Sequence, residues 1–510
     1  MKSINIYISL LAFSILAFGC DEEDKLIDER LENTTEPIVV PETGTSGSLD
    51  LSTYVAIGSS ISGGMMDGAL YTHAQNNSFT VLLAKQFAID GVGGGEFNVP
   101  SIESVNGYLS TNADGSINGK YILDLDSNND GVLGDAGLVV SVGELPSPYT
   151  GDKAKLNNFG VPGIQTAQML TPLTGGPADG NPAYNALYAR FASNPGTSTI
   201  LGDAVARNPT FFTLWAGSND VLGYAISGGT NEAILTDPAT FDGYLNAIVN
   251  TLISGTTAKG VICNVPNVLT LPHFRAVPYN AIPMTDQTTV DATNSAYASY
   301  NGGVQAALTN DIIDEDEATL RTISYVIGGN GIVIEDPTLT DVAALSGGQI
   351  PIPKYRQLKD GELVLLPAST VLGTLADPEN PASVYGVGVP LPDKYSLRTD
   401  ELTKVVTNLT AINTSIKTIA DNQERIVLFD AYTLLLNAAL SGGYSSSETG
   451  GFMLTPDFTP NGFFSNDGVH PNPRGQAILT NEIIDLLEEE FDASIPKLDV
   501  MQYSSSPFQQ

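Results

Sequence analysis

Thr53-Tyr54-Val55-Ala56-Ile57-Gly58, continued by Ser59-Ser60-Ile61-Ser62, is the stretch on which the fold turns. Its first six residues (TYVAIG) form a short β-branched and apolar run ending in small residues, the pattern of a buried strand entering a loop. From Phe79 to Ala88, Val81, Leu82, Leu83 and Phe87 recur at helical spacing. Strand and helix together read as one βα unit.

Working outward, the same alternation returns. Phe211 to Trp215 reads as a strand, Phe241 to Ile253 as a helix, Gly260 to Val265 as a strand and Ala292 to Leu308 as a helix. Near the end come Glu401 to Ala420 as a helix, Arg425 to Phe429 as a strand, and Gln476 to Phe491 as a closing amphipathic helix. Alternation of this kind predicts an α/β fold, a parallel sheet with helices on both faces. Two stretches break it, about 92–153, rich in Gly, Ser, Asn and Asp, and about 325–397, rich in Pro and Gly. Both read as insertions, loops and small β elements over the sheet edge, and no repeat of solenoid spacing is present. With 510 residues, 42% of them hydrophobic, the chain can bury a large core. One decorated domain over 51–495, followed by a tail over 496–510, is expected rather than three domains.

In such a sheet, chemistry sits at the carboxyl ends of the strands, where loops converge and helix N-termini present free N–H groups. Gly58-Ser59-Ser60-Ile61-Ser62 follows the first strand, and Gly217-Ser218-Asn219-Asp220 follows Phe211 to Ala216. Asn158-Phe159-Gly160-Val161-Pro162-Gly163 is a third candidate loop, and Asp467-Gly468-Val469-His470-Pro471 precedes the closing helix. Taken singly, each also fits a turn or a helix cap.

In this order the four segments resemble the sequence blocks of the SGNH (GDSL-type) hydrolases: a GDSL-like block, N-x-G-x-x-G, G-x-N-D and D-x-x-H-P. The resemblance runs from about 53 to 491 and implies a three-layer α/β/α sandwich, flavodoxin-like in its sheet, with carboxylic-ester hydrolysis as its activity and no cofactor. It implies Ser60 as nucleophile, His470 as base and Asp467 as the carboxylate that orients the base. A serine hydroxyl needs such a base, and imidazole suits the task near neutral pH. The backbone N–H groups of Ser60 and Gly163 and the amide of Asn219 would then form the oxyanion hole. One departure stands out: Ser59 occupies the position of the family's usual Asp before the nucleophile. His73 and His273 complete the set of three histidines, without assigned partners.

Lys and Arg number 22 against 57 Asp and Glu, a net charge of -35 that repels polyphosphate and excludes nucleic acid as a partner. Met1-Lys2 followed by an apolar run from Ile4 to Phe18 is the form of an export signal, too short for a spanning helix. Leu16-Ala17-Phe18-Gly19-Cys20 resembles a bacterial lipobox, which implies a signal peptide over 1–19, lipidation at Cys20 and a membrane anchor of lipid. The acidic Asp21-Glu22-Glu23-Asp24 resembles the surface-export signal of Bacteroidetes lipoproteins, implying an outer-membrane lipoprotein exposed at the cell surface; a solvated stalk is the alternative. Residues 20–50 read as a flexible stalk in either case.

Cys263, in an apolar run, reads as an inert core thiol. Asp126, Asn128 and Asp130, followed by Gly131, alternate like the opening of a calcium loop, yet Gly137 stands where the closing Glu belongs, so an Asx-rich turn competes with a calcium site. The sequence leaves two functions facing each other. One is a surface esterase acting on lipid, other acyl esters or acetylated glycans. The other is a binding lipoprotein on the same scaffold without turnover.

Overall fold

In a computed structural model that describes residues 43–124 and 137–505, five strands make up the central sheet. They are Tyr54–Gly58 (β1), Asn158–Gly160 (β2), Phe211–Trp215 (β3), Lys259–Cys263 (β4) and Ile426–Phe429 (β5). Their order is β5-β4-β3-β1-β2 and every neighbouring pair is parallel. Counted from the β2 edge this is the 2-1-3-4-5 order of a doubly wound sheet, whose crevice opens beyond the carboxyl ends of β1 and β3.

The longer helices are Phe79–Phe87 (α1), Ser218–Ile226 (α2), Pro238–Gly255 (α3), Gln287–Thr309 (α4), Thr399–Asp421 (α5), Ala431–Ser441 (α6) and Pro473–Phe491 (α7). Both sheet faces are covered, which is why the strands read as continuous apolar runs. Val55 and Ile57 of β1, with Phe212 and Leu214 of β3, pack against Leu245 and Ile248 of α3 and Val405 and Ile412 of α5. The intervening Tyr54, Ala56, Phe211 and Trp215 pack on the other side against Leu83 and Phe87 of α1 and Ile483 and Leu487 of α7. Helix starts follow their caps. Asp237 accepts the Thr240 N–H (3.0 Å) ahead of Pro238, and Asn472 accepts the Gly475 N–H (3.1 Å) ahead of Pro473, so α3 and α7 begin three residues before their apolar periodicity does.

Helix α4 requires a correction. The sequence assigns Ala292 to Leu308 to the α/β alternation, but Val290, Tyr297 and Tyr300 pack on Ile323, Tyr325, Ile332 and Ile334, and Val304 and Ala307 on Ile313, Ala318 and Val342. Periodicity shows which helix face is buried, not what covers it. The region outside the sheet layers therefore starts well before residue 325, and it includes two antiparallel pairs, Ile282–Met284 with Gly328–Asn330 and Val333–Glu335 with Tyr355–Gln357. Within it, buried Arg356 pairs with Asp336 (2.5 Å) and Glu362 (2.7 Å), and the same two carboxylates tie it to the start of α5, Asp336 through Arg398 (3.4 Å) and Glu362 through Thr399 N–H (3.2 Å). In the earlier stretch, Ser110–Thr111, Ile117–Asp124 and Gly137–Val142 form a three-stranded antiparallel sheet.

Both ends of the domain extend further than expected. Thr45 and Ser494 exchange backbone hydrogen bonds of 2.8 Å and Leu49 is buried, so residues 44–50 belong to the packed domain rather than the stalk. Beyond 495, Val500 is fully buried, Leu498 N–H donates to Asn481 Oδ1 (2.8 Å) and Lys497 pairs with Asp485 (2.5 Å). So few apolar residues carry no readable period. Residues 1–19, Cys20, the acidic run and Asp126, Asn128 and Asp130 lie outside the described residues. Among the described residues no helix is long and apolar enough to cross a membrane.

Candidate active site

At the end of β1 the chain turns sharply. Ser59 (φ -102°, ψ -142°) leaves the strand conformation and one helical turn, Ser60–Gly63, follows. Gly63 N–H donates to Ser59 O (3.0 Å) and Met65 N–H to Ser60 O (2.9 Å). As the first residue of that turn, Ser60 has a backbone N–H with no acceptor within the helix. Strand β2 braces the turn from the side, because Asn158 Nδ2 donates to Ser62 O (2.8 Å) and Thr80 Oγ1 (3.0 Å) while its Oδ1 accepts Gly160 N–H (2.8 Å). A Cβ on Gly160 would run into the backbone of Ser62 and Gly63, so only glycine allows this approach.

The segment before α7 reaches the same place. His470 Nε2 lies 2.8 Å from Ser60 Oγ, and His470 Nδ1 lies 2.7 Å from Asp467 Oδ2, with all three residues buried. Asp467 is held firmly: Oδ1 accepts the N–H groups of Val469 (2.8 Å) and His470 (2.9 Å) and the Ser465 hydroxyl (3.1 Å), and Oδ2 also accepts Gly68 N–H (2.6 Å). Burial pushes the Asp467 carboxyl up, but the imidazole charge and the hydrogen bonds from His470 and Val469 outweigh it and hold the group well below the usual carboxylate range. A carboxylate facing Nδ1 keeps the proton there, which leaves the Nε2 lone pair turned to the Ser60 O–H. Proton transfer from Ser60 to His470 is thereby prepared, with Asp467 placed to stabilise the resulting imidazolium.

Gly163 has φ +78°, and the space its side chain would occupy is open. Asn219 lies in the first turn of α2 and spends one amide hydrogen on Ile164 O (2.8 Å), leaving the second available. The neighbouring Asp220 is buried and accepts Thr166 N–H (3.0 Å), Thr166 Oγ1 (2.8 Å) and Thr236 Oγ1 (2.7 Å), which fastens the loop after Gly163 to α2. Ser60, Gly163, Asn219, Asp467 and His470 all line one cavity of about 760 Å³. The structure thus brings together every residue the sequence nominates for the oxyanion hole and the hydrogen-bonded chain. Cys263 is elsewhere, buried in β4, where burial pushes its thiol well above the ordinary range.

Sequence reasoning missed the support behind Asp467. Asp67, in the left-handed region at φ +52°, is buried and accepts Asn466 N–H (2.8 Å) and the Tyr71 hydroxyl (2.6 Å), while its own N–H donates to Ser465 Oγ (2.9 Å). Burial pushes the Asp67 carboxyl up to about 6, against the hydrogen bonds from Tyr71 and Asn466 and with help from the nearby Asp467 charge. His273, left without a partner in the sequence, lines the cavity; its N–H donates to Gly468 O (2.9 Å) and its Nδ1 lies 3.4 Å from Asp467 O. In sequence Asp67-Gly68 is an ordinary turn pair, so nothing short of the contact itself would have found it. The two irregular stretches also reach this cavity: Tyr108, Tyr121, Leu138 and Val140 come from one, Leu366 and Pro367 from the other.

Compared with known proteins, the chain matches no family model and no curated protein. Among the described residues no group of three or more His, Cys, Asp or Glu side chains stands together as a set of metal ligands.

Proposed function

We propose that this protein is a carboxylic-ester hydrolase of the SGNH kind that works through an acyl-serine intermediate. The observation that carries this reading is the hydrogen-bonded chain from Ser60 Oγ through His470 to Asp467, joining residues 410 positions apart at the mouth of a doubly wound sheet. Ser60 Oγ attacks the ester carbonyl carbon as His470 Nε2 takes its proton, and the negative charge moves to the carbonyl oxygen. The N–H groups of Ser60 and Gly163 and the amide of Asn219 receive that oxyanion. Collapse breaks the bond to the alkoxide, which leaves with the proton from His470. A water, deprotonated by the same imidazole, then releases the carboxylic acid and restores Ser60.

Hydrolysis of p-nitrophenyl esters by wild type, Ser60→Ala and Ser59→Ala tests this. Ser60→Ala is expected to fall to background and Ser59→Ala to keep turnover, since Ser59 O, not its side chain, supports the turn. Equal rates for wild type and Ser60→Ala on every ester would refute it.

A further inference from the structure

The cavity that holds Ser60 is far larger than an acetyl group needs. At about 760 Å³ it has the size of a site that encloses an extended ligand. Its walls away from the reacting groups come from Leu109, Leu138, Val140, Leu187, Leu222 and Ile226. Among the described residues that line it, Asp467 is the one carboxylate and none is Lys or Arg, in a chain with 57 acidic residues.

Four of the polar side chains in the lining are turned onto the protein. Asn185 Nδ2 donates to Pro162 O (2.8 Å) and its Oδ1 accepts Leu187 N–H (2.9 Å). Ser369 donates to Leu366 O (2.7 Å), Thr370 to Pro367 O (2.9 Å) and Asn466 Nδ2 to Tyr121 O (3.4 Å). A sugar ring against the aliphatic walls would find these four side chains already engaged, and unmatched buried hydroxyls are penalised. A hydrocarbon chain asks for no partners and gains from every methylene removed from water.

The apolar lining also runs out to the surface. Leu138, Val140 and Val142 alternate along the strand Gly137–Val142 and so share one face. Leu138 and Val140 line the cavity, Val140 is 44% exposed, and Val142 continues the stripe at 81% exposure. Ile226, at the end of α2, also lines the cavity and is 44% exposed.

We propose that this cavity receives the unbranched acyl chain of a long-chain ester, with Val140 and Ile226 at its mouth setting the preference for chain length. The proposal rests on ester hydrolysis at Ser60 and names the substrate class of that reaction.

The test has two arms. In the first, kcat/KM is measured for p-nitrophenyl acetate, butyrate, octanoate and dodecanoate and for acetylated xylo-oligosaccharides. Wild type is expected to gain up to about fourfold per methylene while the chain stays inside the cavity. Val140→Ser and Ile226→Ser, at partly exposed positions and checked for an unaltered melting temperature, are expected to lower the dodecanoate-to-acetate ratio by about tenfold, the effect of roughly two methylene contacts. A flat or falling Ser60-dependent profile, a higher rate on the acetylated sugars, or an unchanged ratio in both variants would overturn the proposal.

The second arm needs no turnover: dodecanoate and acetate are titrated calorimetrically into Ser60→Ala, and dodecanoate is expected to bind at least about a hundredfold more tightly. Dodecanoate binding without Ser60-dependent hydrolysis of any ester would sink the esterase and keep the acyl cavity. Hydrolysis without preferential dodecanoate binding would do the reverse.

Discussion

Replacing Asp467 by Asn changes one atom and should silence the site for a reason the hydrogen bonds make explicit. Oδ1 of Asp467 accepts three donors, the N–H groups of Val469 and His470 and the Ser465 hydroxyl, so the amide oxygen of the variant will take that position. The new NH2 group then occupies the site of Oδ2, facing His470 Nδ1 and Gly68 N–H. Facing an N–H donor, Nδ1 must become the acceptor, the ring proton shifts to Nε2, and His470 can no longer take the proton of Ser60. The same substitution in a serine-protease triad costs about 10⁴ in kcat, and a loss of that order is expected here. Stability should also fall by about 2 kcal/mol, because Gly68 N–H exchanges a charge-assisted bond for a facing donor. Since folding depresses the pKa of Asp467, its ionised form stabilises wild type above the ordinary carboxylate range, and that contribution fades as pH drops through the acid range. The stability gap between wild type and Asp467→Asn should therefore narrow below about pH 4. Steady-state hydrolysis of a p-nitrophenyl ester and urea unfolding at several pH values read both effects. A kcat within tenfold of wild type would refute the tautomer assignment and with it the role of Asp467.

Two further outcomes follow from the loops around the cavity. Asn219→Ala removes one oxyanion donor and is expected to lower kcat by about 10²–10³ with little change in melting temperature; a loss below threefold in ester hydrolysis would remove Asn219 from that role. Asp67→Asn can keep the Asn466 N–H on its oxygen and donate its amide to Tyr71, so the fold should persist. The raised pKa of Asp67 means the folded state holds a proton that the unfolded chain releases, so wild type loses stability as pH rises from about 4 to about 6, by up to about 3 kcal/mol, and the variant does not. Urea unfolding of both proteins across that window decides, and a pH-independent difference would overturn the expectation.

The sequence made the sheet legible where strands are long enough to show their burial. β1, β3, β4 and β5 are apolar runs because both faces are covered. β2 escaped because its three residues, Asn158–Gly160, look like a loop. What makes them a strand is external: parallel pairing with β1 and the side-chain bonds of Asn158 to the nucleophile turn. Helix α4 was legible as a helix but not in its partner, for its tyrosine-bearing face covers small antiparallel pairs instead of the sheet. In the site, Ser60, Gly163, Asn219, Asp467 and His470 were legible because each belongs to a short local motif. Asp67 and His273 belong to none, and their contacts with residues 465–468 span 194 to 399 positions of chain.

That distance explains how the site depends on the fold. Ser60 meets His470, Gly68 meets Asp467, and Phe79 N–H donates to Gln476 Oε1 (2.9 Å), so three separate bonds join the 60–80 segment to the 467–476 segment. Beneath them α1 packs on α7 in the core on one face of the sheet. The nucleophile turn is fixed by β1, by β2 and by Thr80 of α1, whose hydroxyl donates to Ser62 O (3.1 Å), while His470 sits in a loop held by Ser465, Asp467 and the Asp67-Gly68 turn. His470 stands two residues before Asn472, the cap of α7, so the docking of that helix against α1 also bears on its position. Methylene-scale losses in this core, at Leu83 or Ile483, act on the separation of Ser60 Oγ and His470 Nε2, because close-packed interiors pass displacements on rather than absorb them. The geometry of the chain from Ser60 through His470 to Asp467 thus depends on a helix–helix contact as well as on its own hydrogen bonds.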